Sequence, residues 1–326
     1  MPPASRITRL LERQSRELAA LQDDQARKLL ALAETARREL AANLAALTTT
    51  GGGNTFTAQH LRVLLAQTTA AVDALKARMA DVLTAGRDTA GRVAMRDLLQ
   101  TIRAHEGELA DAGNRIEWGA VARLQDGLAL HKYSLDKYGA DVIAKVQQQL
   151  SLGLLQGATI PALTRRVAST SGVFAKLHGR AELIARMEVS NAYNAGHQAA
   201  IEEAAAILDD EGTDDPLLRQ ADEFFDARNH PFSRVIHGQV TGITTPWLVS
   251  VAAVAAMGER MHKGTSGVLW PGSGGLYVCQ QYPMCYGERG RFIPYRASWD
   301  GGAGLRGLLP EQQRQLPTAL RRKLAA

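Results

Sequence analysis

Cysteine is nearly missing from this chain: Cys279 and Cys285 are the two thiols in 326 residues. That count rules out a disulfide framework and makes a reducing compartment the default. Aromatic residues are scarce too, at 5%. Strands favour aromatic and β-branched side chains, so apolar positions filled mainly by alanine and leucine point to helices rather than a β-sandwich. Long hydrophobic runs are also missing. The longest, residues 247–257, is far too short to span a bilayer. The opening MPPASRITRL lacks the apolar core of a signal peptide. Neither an export signal nor a membrane segment is therefore expected. HExxH, a Walker loop and GxSxG do not occur. GAGLRG at residues 302–307 matches GxGxxG in form only, because a tryptophan-containing loop precedes it and Pro310 follows. The acid that dinucleotide binding needs about twenty residues on is absent.

What is present is ordinary for a folded protein: 45% hydrophobic and 22% charged residues, over a length that allows more than one domain. The net charge of +5 permits contact with nucleic acid without arguing for it. Charge is nevertheless polarised in the second half. Residues 202–226 carry ten acids against one base, Arg219, and residues 286–326 carry eight bases against three acids.

Apolar spacing organises the first half. Ile7, Leu11, Leu18, Leu21, Leu29, Leu32, Ala36, Leu40 and Leu47 recur at threes and fours, so residues 5–48 read as one long helix. Gln14, Gln25 and Asn43 interrupt the stripe. A coiled-coil seam and a bundle helix both fit it. TTTGGGN at residues 48–54 is a flexible joint. A second long helix follows over residues 57–85, and shorter helical patterns cover 92–105, 116–133 and 136–155. Gly157 closes a turn, after which Thr159 caps a helix and Pro161 sits in its first turn. Another helix spans residues 179–208. Beyond residue 224 the texture becomes β-rich and punctuated by glycine and proline. The expectation is a mainly α protein with a small C-terminal α+β module. Its segments are a long N-terminal helix at 1–50, a helical region at 51–150, a helical core at 151–223, an irregular α+β part at 224–300 and a basic tail at 301–326.

The helix at 179–208 raises a question of polarity. With successive residues about 100° apart, Leu183, Met187, Ile201, Ala205 and Leu208 share a stripe, with Asn194 near its centre and Asn191 at its edge. Arg186, Tyr193 and His197 form a second line beside it. A buried amide costs roughly 1–3 kcal/mol unless its hydrogen bonds are met. Three readings are open: Asn194 bonds a crossing loop, the polar line faces a ligand, or it meets a partner. Arg186, Glu188 and Asn194 are expected to fasten the β-rich module to this helix.

Motifs that could carry chemistry are weak. Cys279 and Cys285 are separated by QQYPM, which is not CxxC, and zinc would need further ligands from His230, His237 or His262. Two ordinary packed thiols fit as well. Asp226, Arg228 and His230 lie together in DARNHPFSRVIHG, at residues 226–238, and no second feature supports acid–base chemistry there.

Three pieces nevertheless stand in a telling order. GLLQGATIPALTRRV precedes RAELIARMEVSNAYNAGHQAA, which precedes DARNHPFSRVIHGQV, and YPMC comes later. This arrangement resembles the phage Mu F-like head morphogenesis family, the minor head proteins of tailed phages, over about half the chain (residues 152–287). Arg186 and Glu188 stand on the family's Arg and Glu, with Met187 where Thr is usual. Ala192, Tyr193 and Asn194 match its Ala-Tyr-Asn, and Asp226, Arg228 and Gly238 match the next motif. His230 and Ser233 replace two of its cysteines. Tyr282 and Gly287 replace a His and a Cys around the retained Pro283 and Cys285. The resemblance implies a portal-associated structural protein inside the virion, present in host cytoplasm during assembly. It would touch portal, scaffold or major capsid protein and act in head morphogenesis, and in DNA packaging or ejection. It also implies that Arg186, Glu188, Asn191, Tyr193, Asn194, Asp226 and Arg228 form a structural polar staple. No cofactor is expected, since the metal cluster is dismantled to a remnant of His230, His237, Cys279 and Cys285. Non-specific DNA contact would fall to Arg306, Arg314, Arg321, Arg322 and Lys323. The alternatives are a helical nucleic-acid-binding protein, or an enzyme using Asp226, Arg228 and Glu188.

Overall fold

The regular apolar spacing at the start of the chain builds one helix, α1, over Pro3–Thr50. A computed structural model describes residues 3–50, 56–104, 132–168, 175–210, 215–222, 235–256, 268–269, 276–279 and 291–299, with 305, 313, 314, 316 and 321. The further elements are α2 (Ala58–Ala104), α3 (Lys132–Leu155), α4 (Ile160–Ala168), α5 (Ala175–Asp210), β1 (Leu218–Asp222), β2 (Val240–Thr241), β3 (Trp247–Ser250), α6 (Val251–Ala256), β4 (Val268–Leu269), β5 (Leu276–Cys279), β6 (Arg291–Tyr295) and a 3-10 turn at Ala297–Trp299. The protein is mainly α with a small C-terminal β-containing module. No described helix is long and apolar enough to cross a membrane.

Packing divides the chain into two compact units made of discontinuous stretches. One comprises Gln22–Gly86 and Leu130–Glu188; the other comprises Met1–Leu21, Arg87–Ala129 and Val189–Ala326. The first is helical. Its core takes Leu29, Ala33 and Leu40 from α1, Val72, Leu75 and Met79 from α2, Tyr138, Val142 and Val146 from α3, Ile160 and Leu163 from α4, and Ala181 and Ala185 from α5. The apolar line of α1 is thus covered within the chain, as in a bundle. Thr57 caps α2: its Oγ1 accepts from the His60 N–H, and His60 Nδ1 accepts from the Thr57 N–H, both at 3.3 Å. Gly157 takes φ +61° in the turn before α4, and Thr159 Oγ1 accepts from the Ala162 N–H at 3.4 Å. These are the turn and cap expected there.

The second unit is mixed. Two three-stranded antiparallel sheets have strand orders β2-β1-β6 and β3-β5-β4. Trp247 and Val249 of β3, Phe292 of β6 and Ala221 of β1 share a core with Met95, Leu98 and Ile102 of α2 and Ala200, Ile201, Ala204 and Leu208 of α5. Gln239 joins the sheets. Its Nε2 donates to the Leu248 carbonyl at 2.8 Å, and its Oε1 accepts from the Leu248 N–H at 3.1 Å. One side chain thereby makes the paired bonds a neighbouring strand would make.

Two expectations need correction. The second helix was expected to end near residue 85, with a new one from 92, but α2 continues unbroken to Ala104. Ala90, Ala94, Met95, Leu98 and Ile102 extend its buried stripe through the glycines, and that burial overrides the local propensity. The β part was expected from residue 224, but β1 begins at Leu218, inside the acidic segment, as the central strand of its sheet. The tail was expected to be a short basic helix or disordered; its described residues 305, 313, 314 and 321 are helical, and Leu305 and Leu316 are buried against Leu218, Val240 and Tyr295. The pattern expected over 116–133 lies outside the described residues up to 131.

Candidate functional site: a buried polar network

Helix α5 buries small residues on the face it turns inward. Ala192, Gly196 and Ala200 let neighbouring backbone come close, and a Cβ added at Gly196 would lie 2.5 Å from the Gly91 carbonyl oxygen of α2. This approach places the few long side chains on that face, Tyr193 and His197, against α2 and β6. The expected face was one apolar stripe with these two beside it. Asn194, Ile201 and Leu208 of that stripe are buried, but Leu183 and Met187 are only half-buried, and Tyr193 and His197 are core residues.

Asp97 of α2 is the centre of the network, at 0% exposure. The Tyr193 hydroxyl donates to its Oδ2 at 2.7 Å, and Arg96 Nη2 donates to its Oδ1 at 2.7 Å. Gln14 Nε2 donates to its backbone carbonyl at 2.8 Å and to Thr101 Oγ1 at 3.2 Å. Arg291 of β6, also 0% exposed, donates from Nε to Asp222 Oδ2 at 3.0 Å and from Nη2 to the Leu11 carbonyl at 2.8 Å. Its Nη1 reaches Gln14 Oε1 at 3.4 Å. Buried charges are tolerated here because each meets an opposite charge and several dipoles. Burial raises the Tyr193 hydroxyl well above the usual phenol range; Asp97 adds to this and Arg291 opposes it.

His197 is fully enclosed. Its Nδ1 lies 2.9 Å from the Phe292 carbonyl, which can only accept, so Nδ1 carries the proton. The Nε2 atom has no hydrogen-bond partner among the described residues. Burial first, and then the Arg291 charge, push this imidazole down to about 3, against the pull of the Phe292 carbonyl. It is a neutral spacer, stacked near Tyr193 at 4.6 Å between ring centres and edge-on to Phe292 at 5.7 Å.

A second cation completes the join. Arg219 of β1 lies over Trp247 at 5.0 Å and Phe292 at 5.3 Å. It donates to Gln198 Oε1 at 2.8 Å, the Thr245 carbonyl at 2.5 Å and the Gly242 carbonyl at 3.3 Å. Gln198 in turn donates to the Ile243 carbonyl at 3.0 Å. Burial lowers this guanidinium to about 10.

The residues fastening strands to α5 are therefore His197 and Gln198, with Arg219 and Arg291 opposite. Of the expected fasteners, Arg186 acts elsewhere. Arg186 grips Glu182 Oε1 at 2.9 Å and Asp23 Oδ1 of α1 at 2.7 Å. It belongs to the helical unit, whereas His197 belongs to the other. Glu188 is buried, Asn191 is half-buried, and Asn194 donates to the Ser190 carbonyl of its own helix at 3.0 Å. Tyr193 does belong to a structural polar cluster, bonding Asp97 of α2 and interacting with Arg291 of β6.

Asp226, Arg228, His230, His262 and Cys285 lie outside the described residues, as do Arg306, Arg322 and Lys323. Arg314, Arg321 and His237 are exposed, and Cys279 ends β5 opposite Trp247. Among the described residues no three His, Cys, Asp or Glu side chains cluster as metal ligands would. Gln14, Asp97, Gln198 and Arg291 were not anticipated. Gln14 alone gave a signal, as an amide breaking an apolar stripe. No family model, curated protein or solved structure matches the chain.

Proposed function

We propose that this chain is a structural minor head protein of a tailed phage or prophage, portal-associated and acting in head morphogenesis. The order and spacing of the motifs over residues 152–287 support the family reading. The observation that carries the structural role is the placement of Tyr193, from the Ala-Tyr-Asn motif. Its hydroxyl is spent on Asp97 in the interior. A motif residue held there builds a scaffold and cannot touch a substrate.

In this reading the chain occupies the virion interior after assembly in the host cytoplasm. Portal, scaffold or major capsid protein are its partners. The exposed Arg314 and Arg321, with Arg306, Arg322 and Lys323, suit non-specific contact with DNA during packaging or ejection. An enzyme using Asp226, Arg228 and Glu188 is disfavoured, because the Glu188 carboxylate is buried at 3% exposure. No metal or cofactor is needed for this role.

The test is particle composition. Mass spectrometry of purified heads from the parent phage or induced prophage should find the chain far below the major capsid protein in amount. Co-expression with the cognate portal, scaffold and capsid proteins should recover at least one of them on the tagged chain. Heads that lack the chain, with no such partner recovered, would refute the assignment.

A further inference from the structure

Helix α1 changes packing partners along its length. Residues up to Leu21 belong to the mixed unit, and those from Gln22 belong to the helical one. The two parts are held differently. In the helical unit α1 buries Ala26, Leu29, Ala33, Ala36, Leu40 and Leu44, all apolar and all at 3% exposure or less. Over residues 7–17 the buried side chains are Gln14 and Ser15, both polar. Ile7, Leu10 and Leu11 are half-buried, and Leu18 is the first buried apolar residue of those described. Steps of about 100° put residues 7, 10, 11, 14 and 18 on one face with Gln14 at its centre. A polar clamp thus stands where an apolar anchor would be expected. Gln14 bonds the Asp97 carbonyl, Thr101 and Arg291, and the Leu11 carbonyl accepts from Arg291. At the rim Arg13 donates to Gln100 at 2.8 Å, and Arg96 pairs with Glu17.

We infer that α1 up to residue 17 is a strap that undocks from the mixed unit in a local step, while the chain as a whole stays folded. Water replaces hydrogen bonds when polar surfaces part, so such bonds hold a helix less firmly than apolar burial does. Segments with few buried apolar side chains open at lower free energy than the rest of a fold. The helix is already nucleated in the helical unit, so the freed turns need no new nucleus to stay helical. Opening presents an amphipathic arm with Ile7, Leu10 and Leu11 on its uncovered face, and it admits water to Arg291 and Asp222. The strap does not rest on the assignment to phage heads.

The experiment uses the full chain carrying Ser15→Cys or Ala33→Cys, at sites 7% and 0% exposed in the two parts of α1. A small alkylating reagent is added without denaturant, and labelling is read by peptide mass spectrometry, which separates these sites from Cys279 and Cys285. After correction for thiol reactivity in urea, residue 15 should react at least about a hundredfold faster than residue 33. Gln14→Ala loosens the clamp without stranding the Asp97 carbonyl, which also accepts from Thr101 Oγ1 at 2.9 Å. It should speed labelling at residue 15 about tenfold, the worth of one or two net hydrogen bonds. Labelling at residue 33 and the helical circular dichroism should not change. The inference is overturned if residue 15 is as protected as residue 33, or if Gln14→Ala speeds both sites equally or neither.

Discussion

Tyr193 shows at the scale of one residue how the buried network is held. Removing its hydroxyl strands Asp97 Oδ2 in the interior, and a buried hydrogen bond to a charged group contributes about 1.5–3 kcal/mol. Tyr193→Phe should lower the unfolding free energy by roughly that amount in urea titration. Tyr138 predicts the opposite. Its hydroxyl is buried with no hydrogen-bond partner among the described residues, and burial pushes it up to about 12. Tyr138→Phe should therefore be neutral or stabilise by up to about 1 kcal/mol. His197 gives a pH dependence. Its folded value of about 3 lies below the unfolded value of 6.5, so the unfolded chain takes up the proton first as pH falls. Its contribution is complete above pH 6.5 and declines toward pH 3, at up to about 1.4 kcal/mol per pH unit. His197→Asn keeps a donor for the Phe292 carbonyl and removes the titration. Urea midpoints measured from pH 7 to pH 4 should fall less steeply in that variant than in the parent.

Among the elements, α5 is the most instructive. Its existence was legible, because spacings of three and four report directly on helical geometry. Its buried face was legible in part, since Asn194, Ile201 and Leu208 are buried as expected. Large apolar residues pointed to Leu183 and Met187, whereas close approach of α2 selects Ala192, Gly196 and Ala200, whose small size carries no hydrophobic signal. A paired substitution tests this. Alanine normally stabilises an exposed helical glycine by up to about 1 kcal/mol, and Gly179→Ala, with nothing within 4 Å of the new Cβ, should do so. Gly196→Ala should reverse the sign and cost about 1–3 kcal/mol, because the Gly91 carbonyl cannot yield as a side chain would. Thermal melts of the two variants should move in opposite directions. Strand β1 was hidden for another reason. LRQAD sits in a run of acids, and its strand character comes from pairing with β6 about seventy residues later. The site was legible only in part for the same cause. Gln14 and Tyr193 broke local patterns, but Asp97 and Arg291 are explained only by partners distant in sequence.

For the whole molecule, the two compact units do not correspond to successive lengths of sequence. The second half of the chain depends on earlier helices for its interior: Met95, Leu98 and Ile102 complete the core around β3 and β6. A fragment starting at residue 151 should therefore lack a cooperative thermal transition and bind a hydrophobic dye, whereas the full chain should melt cooperatively and bind little. Arg291 extends this dependence to the opposite end of the polypeptide, since it donates to the carbonyl of Leu11, 280 positions earlier. During synthesis the N-terminal helix leaves the ribosome long before that arginine has been made. The Leu11 carbonyl and Gln14 Oε1, which meet Arg291, must wait until that residue is made, although the rest of the helix can already pack on α2. This part of the nascent chain is thus open to chaperone capture and premature association until Arg291 is translated, and slowing elongation should lower the soluble yield.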